Sequence, residues 1–207
     1  MNTDDPLPTR ASLLNRLKDA GDSASWDEFH WIYRGLLMGV ARRSGLNDQE
    51  ANEAVQDTLI AVARQVPEFR YTPGRDSFKG WLLQITRWKV ADQFRQRKDS
   101  PGSWLLDDER EQTSVIPTEA NIQALQDFEA IWNAEWERHL LDQALARVKR
   151  QVSPEHYAIY HLNVIEDRPA SEVRQSLGVG MAAVYLAKHR VGAAVRKELR
   201  RLQEAAP

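Results

Sequence analysis

Residues 69–98 interleave aromatic rings with cations. Phe69, Tyr71, Phe78, Trp81, Trp88 and Phe94 stand among Arg70, Arg75, Lys79, Arg87, Lys89, Arg95, Arg97 and Lys98. These residue types together suit single-stranded nucleic acid, whose phosphates need cations and whose unstacked bases need π-faces. Only Asp76 and Asp92 oppose those cations between residues 70 and 98, a local charge of +6. Helical spacing assigns Trp81 and Leu82 to a buried stripe with Phe78 and Ile85. Trp88, Lys89, Asp92, Gln93 and Gln96 alternate with that stripe and form the candidate nucleic-acid face. The loop Thr72–Ser77 can wall a pocket for an extruded base.

A second basic segment ends the chain. Arg168, Arg174, Lys188, Arg190, Arg196, Lys197, Arg200 and Arg201 outweigh Glu172 and Glu198, again +6. A short apolar-periodic helix with Val173 and Leu177 meets Gly178, and a longer one starts near Met181 with Val184, Tyr185, Ala187, Val191, Val195 and Leu199. Helix, glycine turn, helix is the helix-turn-helix pattern, since glycine tolerates the positive φ such a turn needs. The second helix of that motif enters the DNA major groove by its N-terminal residues. Met181, Ala182, Ala183, Tyr185, Lys188, His189 and Arg190 are therefore candidates for base or phosphate contact, and Arg174 for the backbone. A hairpin with a merely solvated basic face is the alternative; the cationic patch tips the balance towards DNA.

Catalytic patterns are missing from the sequence: there is no phosphate-cradling glycine loop, no HExxH and no GxSxG. His30, His139, His156, His161 and His189 are scattered, and His156 and His161 are spaced badly for two ligands on one helix face. Asp4-Asp5 and Asp107-Asp108-Glu109 lie in contexts unsuited to holding carboxylates in register. The expectation is a protein without an enzymatic activity of its own, calling for no cofactor and no metal.

These constellations need scaffolds, and the scaffold reads as all-α. Of the 207 residues, 42% are hydrophobic and 28% charged, which suits a helix-rich globular chain. Thr9 can cap a short helix with Leu13, Leu14 and Leu17, ended by Gly21. Ser25-Trp-Asp-Glu28 has the form of a capping box before Phe29, Ile32, Tyr33, Leu36, Leu37 and Val40. Asn47 caps the next helix, carrying Ala51, Ala54, Val55, Leu59, Val62 and Val66, and Pro67 stops it. Ser77 or Asp76 caps a helix running to about Lys98. Another set begins near Ala120 with Trp132, Trp136, Leu140, Leu141, Ala144, Leu145 and Val148, and Ser153-Pro154-Glu155 starts the helix bearing Tyr157, Tyr160, Leu162 and Val164.

Two small helical domains, 9–98 and 121–204, are thus expected on either side of a flexible acidic linker, 99–120. Residues 101–136 hold Asp107, Asp108, Glu109, Glu111, Glu119, Asp127, Glu129 and Glu135 against Arg110. That acidic stretch conceals both basic patches inside a total charge of only −2. Cysteine is absent, which excludes disulfides and thiolate sites. No apolar run approaches the ~20 residues of a membrane span, and MNTDDPLPTR is too polar for a secretory signal. The expected location is the cytoplasm, with no membrane insertion.

WDEFHWIYRGLLMGVARRSGL, ANEAVQDTLIAV and FRYTPGRDSFKGWLLQITRWKVADQFRQRK together resemble region 2 of the extracytoplasmic-function group of the sigma-70 family. EDRPASEVRQSLGVGMAAVYLAKHRVGAAVRKEL resembles region 4 of the same group, and the two blocks stand in the family's order. The resemblance covers about 9–98 and 138–202. It implies a transcription-initiation factor that binds core RNA polymerase at the β′ clamp and β flap and engages promoter DNA. By similarity, Glu53, Gln56, Asp57, Leu59 and Ile60 contact the clamp. Arg75, Asp76, Ser77 and Lys79 join Trp88, Lys89, Asp92, Gln93 and Gln96 in recognising and melting the −10 element. The Met181–Arg190 segment reads the −35 element, with Arg174 nearby. Gly180 and Met181 stand where many relatives carry a polar cap and a polar base-reading residue. The acidic linker is expected to thread towards the polymerase channel, with a solvated spacer as the plainer alternative. The resemblance leaves room for an anti-sigma factor or another regulator. The rival readings are a free-standing helix-turn-helix regulator and a protein-binding helical adaptor.

Overall fold

The computed structural model describes residues 10–19, 21–70, 77–97 and 119–204, with side chains from Ser12 and Gln123 onward in the first and fifth helices. Every regular element among them is helical: α1 (Arg10–Leu17), α2 (Ser23–Arg43), α3 (Asp48–Gln65), α4 (Phe78–Gln96), α5 (Glu119–Gln151), α6 (Pro154–Tyr160), α7 (Ala170–Leu177) and α8 (Met181–Glu204). The all-α expectation holds. A π-helical segment, His161–Ile165, continues α6.

Local chemistry explains most boundaries. Asn47 accepts the N–H groups of Gln49 and Glu50 at 3.0 Å, and Glu50 returns an acceptor to the Asn47 N–H at 2.9 Å, a complete capping box. Ser77 accepts the Gly80 N–H at 3.0 Å and starts α4. Ser153 caps α6, with proline in its first turn. At α2 the cap differs from expectation: Asp22, not Ser25, accepts from the helix. The Asp22 carboxylate takes both the Ser25 N–H, at 3.1 Å, and the Ser25 hydroxyl, at 2.5 Å. An ionised acceptor outcompetes a hydroxyl there, and Ser25 is left buried inside the first turn. The proposed cap Thr9 and the linker residues 99–118 lie outside the described residues; Glu119 and Ala120 open α5.

The chain forms two compact units that divide after Glu137, inside α5, rather than ahead of residue 121. In the first unit, Phe29, Tyr33, Leu37, Phe78, Leu82 and Ile85 are each at most 1% exposed. Their rings meet: Phe29 to Tyr33 at 4.7 Å, Tyr33 to Phe78 at 5.4 Å and Phe78 to Trp81 at 5.7 Å between centroids. Burying each such side chain stabilises the fold by about 1.5–3 kcal/mol. α1 belongs to this unit, with Leu13, Leu14 and Leu17 buried and Arg16 paired to Glu28 of α2 at 2.5 Å.

The first part of α5 belongs to it too. Glu135 is 4% exposed and pairs with Arg43 of α2 at 2.7 Å. Its carboxylate fills the space where a Cβ at Gly39 would lie, so only glycine admits this approach. In the second unit, Ile159, Val173, Val184 and Ala187 are fully buried beneath Leu162, Ala170 and Val179. Ile159 is the fully buried member of α6, while Tyr157, Leu162 and Val164 are half-buried. An Arg147–Glu198 pair, 2.5 Å long and almost fully buried, fastens α5 to α8.

Candidate nucleic-acid and protein interfaces

Between the end of α3 and the start of α4 lies an open cleft of about 600 Å³, lined by Gln65, Glu68, Phe69, Arg70, Ser77, Gly80, Trp81, Leu83 and Gln84. The Phe69 and Trp81 rings in that lining touch one another, 4.6 Å apart between centroids and tilted by 36°. Trp81 is therefore half-buried and faces the cleft, whereas Leu82 is fully in the core. A cation, amides and aromatic rings lining an open cleft are group types that can hold a planar base by stacking and edge hydrogen bonds. Gln84 was not among the expected site residues because it lies off the apolar stripe and outside the turn, whereas Arg70 was counted only among the cations of the segment. Arg75 and Asp76, with the rest of residues 71–76, lie outside the described residues.

The outer face of α4 is only partly open. Trp88 is 37% exposed, and Gln96 is exposed beyond it. Lys89 and Asp92 are half-buried and bound to one another at 3.4 Å, with Arg95 on the other Asp92 oxygen at 2.9 Å. Gln93 is 3% exposed, so its side chain belongs to the packed face, contrary to expectation. The period from Leu82 through Ile85 and Thr86 to Val90 carries Gln93 round to the interior. Lys79 donates to Asn133 of α5 at 2.6 Å and sits 5.8 Å from the Trp136 ring. Burial there pushes the Lys79 ammonium below its ordinary pKa, against an opposing pull from Glu137.

On α3, Glu53, Gln56 and Ile60 are exposed, Ile60 by 45%, while Asp57 and Leu59 are half-buried. Glu53 accepts from Gln49 at 3.1 Å. On α2 Trp31 stands outside the apolar stripe and is 65% exposed, a signal legible in the periodicity. One turn on, Arg34 donates to Asn52 of α3 at 3.2 Å and joins the two helices on that side. At the far end of the unit, Arg97 grips Glu50 through its Nε at 2.6 Å and holds the Glu50 carboxyl below its ordinary pKa.

In the second unit Gly178 takes φ +66°, the left-handed conformation that ends α7, and α8 starts at Met181 as expected. Arg174 is exposed, and the Gly178 N–H bonds its carbonyl. Met181, Ala182, Tyr185, Lys188, His189 and Arg190 are all exposed, and Ala183 is half-buried. Leu186, absent from the candidates, is 44% exposed on the same helix.

Comparison with known proteins bears on the first unit. Residues 32–105 match the family model for sigma-70 region 2. Over 90 residues the chain is 32% identical to the ECF RNA polymerase sigma factor SigE of Mycolicibacterium smegmatis, covering 44% of this chain and 34% of that protein. Over 88 residues it is 28% identical to the ECF RNA polymerase sigma factor SigM of Mycobacterium tuberculosis, covering 42% and 43% respectively. These matches span less than half the length of either relative. Among solved structures, CnrH in complex with the cytosolic domain of CnrY is similar at 18% identity and a TM-score of 0.36, covering 97% of this chain and 100% of that one.

Proposed function

The chain belongs to the extracytoplasmic-function group of the sigma-70 family, and from that membership we propose that it is a cytoplasmic, dissociable subunit of RNA polymerase. It binds core enzyme and directs promoter-specific initiation. The observation that carries this reading is a coincidence of position: the segment matched to region 2, 32–105, contains both the ring-and-cation helix α4 and the ring-lined open cleft beside it. In this reading the cleft and Trp88, Lys79, Lys89 and Gln96 take the unpaired −10 strand. Arg75, Asp76 and Ser77 contribute from the loop. Asp92 orients Lys89 and Arg95 rather than meeting phosphate, since a carboxylate would repel it.

Glu53, Gln56, Asp57, Leu59 and Ile60 form the surface for the β′ clamp. Trp31 extends it, because an exposed tryptophan is a common anchor in protein interfaces. The helix-turn-helix of the second unit reads the −35 element, with the β flap as its polymerase contact. An anti-sigma factor or another regulator is a further proposed partner. Any chemistry belongs to the polymerase. Two weak DNA-binding modules on one chain gain from effective concentration, which is the physical reason to join them.

The test is run-off transcription with purified core polymerase on promoters mapped after overexpression. Addition of this chain should produce discrete transcripts that core enzyme alone does not make. A chain that neither co-purifies with core enzyme nor starts transcription would sink the proposal.

A further inference from the structure

The outward face of α8 is apolar where such a helix meets bases. Val184, Ala187 and Val191 are fully buried, and the helical period sets Ala182, Tyr185, Leu186 and His189 on the opposite side. Tyr185 is 60% and Leu186 44% exposed, with Met181 at 37% beside them. No arginine, lysine, asparagine or glutamine occurs from Met181 to Ala187. Bidentate hydrogen bonds to guanine or adenine edges need those side chains, so the first two turns cannot make them. The cations follow at Lys188 and Arg190 and stand nearby at Arg174, all exposed. An apolar patch with a cationic rim fits a polyanion that offers apolar surface of its own. In the major groove that surface is the C5-methyl group of thymine.

We propose that α8 selects DNA by thymine methyl groups, packed against Ala182, Tyr185 and Leu186, with Leu186 a specificity-determining residue. Arg174, Lys188 and Arg190 hold the phosphates and set the register. The inference rests on the reading of the second unit as a duplex binder. It goes further by naming the chemical group that is read and the residue that reads it.

Two parallel selections from randomised duplexes test it, using the full chain assembled with core RNA polymerase. One pool carries thymine and the other uracil, which keeps every hydrogen-bonding group and lacks only the methyl. Thymines should be enriched at two or more neighbouring positions, and the same sequences should bind about fourfold more weakly per uracil, the worth of one buried methyl(ene) group. 5-Methylcytosine should restore part of the loss at those positions. Leu186→Gln, a change at an exposed site, should abolish the methyl preference at one position and keep the rest. Equal enrichment in both pools overturns the proposal, as does a thymine preference untouched by Leu186→Gln, which would locate methyl reading elsewhere. If unit-two variants such as Arg190→Ala change neither enrichment nor salt dependence, the duplex-binding reading itself falls.

Discussion

The two helices proposed to meet DNA are prepared in opposite ways. On α4 several polar groups are already engaged within the protein: Lys79 with Asn133, Lys89 and Arg95 with Asp92, and Gln93 in the core. On α8 the proposed contact residues stand exposed from Met181 to Arg190, apart from the half-buried Ala183 and the buried residues of the inner stripe. A strand arriving at α4 must exchange partners with the protein, so binding there is coupled to rearrangement. A duplex arriving at α8 meets a preformed surface. The difference suits the two proposed tasks, since capturing an unpaired strand follows an opening event whereas reading intact duplex does not.

Core and buried-pair substitutions should separate the two units most strongly. Phe78→Ala removes a ring 1% exposed at the centre of the first unit and should cost about 3–5 kcal/mol of that unit's stability. All seven tryptophans precede Arg138, so tryptophan fluorescence follows the first unit while far-UV circular dichroism follows both. Glu198→Ala should do the reverse, leaving Arg147 buried without its partner at about 3–5 kcal/mol and melting helix before tryptophan emission moves. The double change Arg147→Met with Glu198→Leu should recover most of that loss. Coincident melting of both probes in both variants would show that the continuous α5 couples the units into one cooperative block.

Smaller effects sharpen the contrast between the helices. Asn47→Ala, removing a complete capping box, should cost about 1 kcal/mol in the first unit only, measured by urea unfolding. In salt titrations, Arg190→Ala should lower the slope for duplex binding by about 0.9. Lys89→Ala should change the single-strand slope by less than about 0.7, because its cation is already half-neutralised by Asp92. A full-sized loss for Lys89→Ala would mean that the Asp92 pair opens freely.

Acid and base should find different units first. Ser25 lowers the Asp22 pKa by its hydrogen bonds, and Arg97 lowers that of Glu50. The stability these carboxylates contribute is fully present above their ordinary values of 3.8 and 4.5 and is lost as pH falls through the lower folded values. Burial raises Tyr157 and Tyr160 above the ordinary 10.0, so their contribution is full below that value and is lost as pH rises through the higher folded ones. Tryptophan emission should therefore shift early on the acid side, and helix content should fall ahead of it on the alkaline side.

The sequence by itself determined the helical class, most helix starts and the place of the turn before α8. Those depend on neighbours a few residues apart: Asn47 with Glu50, Ser153 with Pro154, and Gly178 at a left-handed position that side chains resist. It also placed both basic segments, because local charge needs no fold to be counted. Tertiary structure alone decided which residues of a helix face outward at its margins. Residue type placed Gln93 outside against the helical period and left Leu186 unconsidered, yet in the packed structure Gln93 is buried and Leu186 exposed. It likewise decided that the units divide within α5. The Glu135 carboxylate enters a gap that exists only because Gly39, far away in the chain, lacks a side chain, and no pattern of neighbours announces a contact of that range.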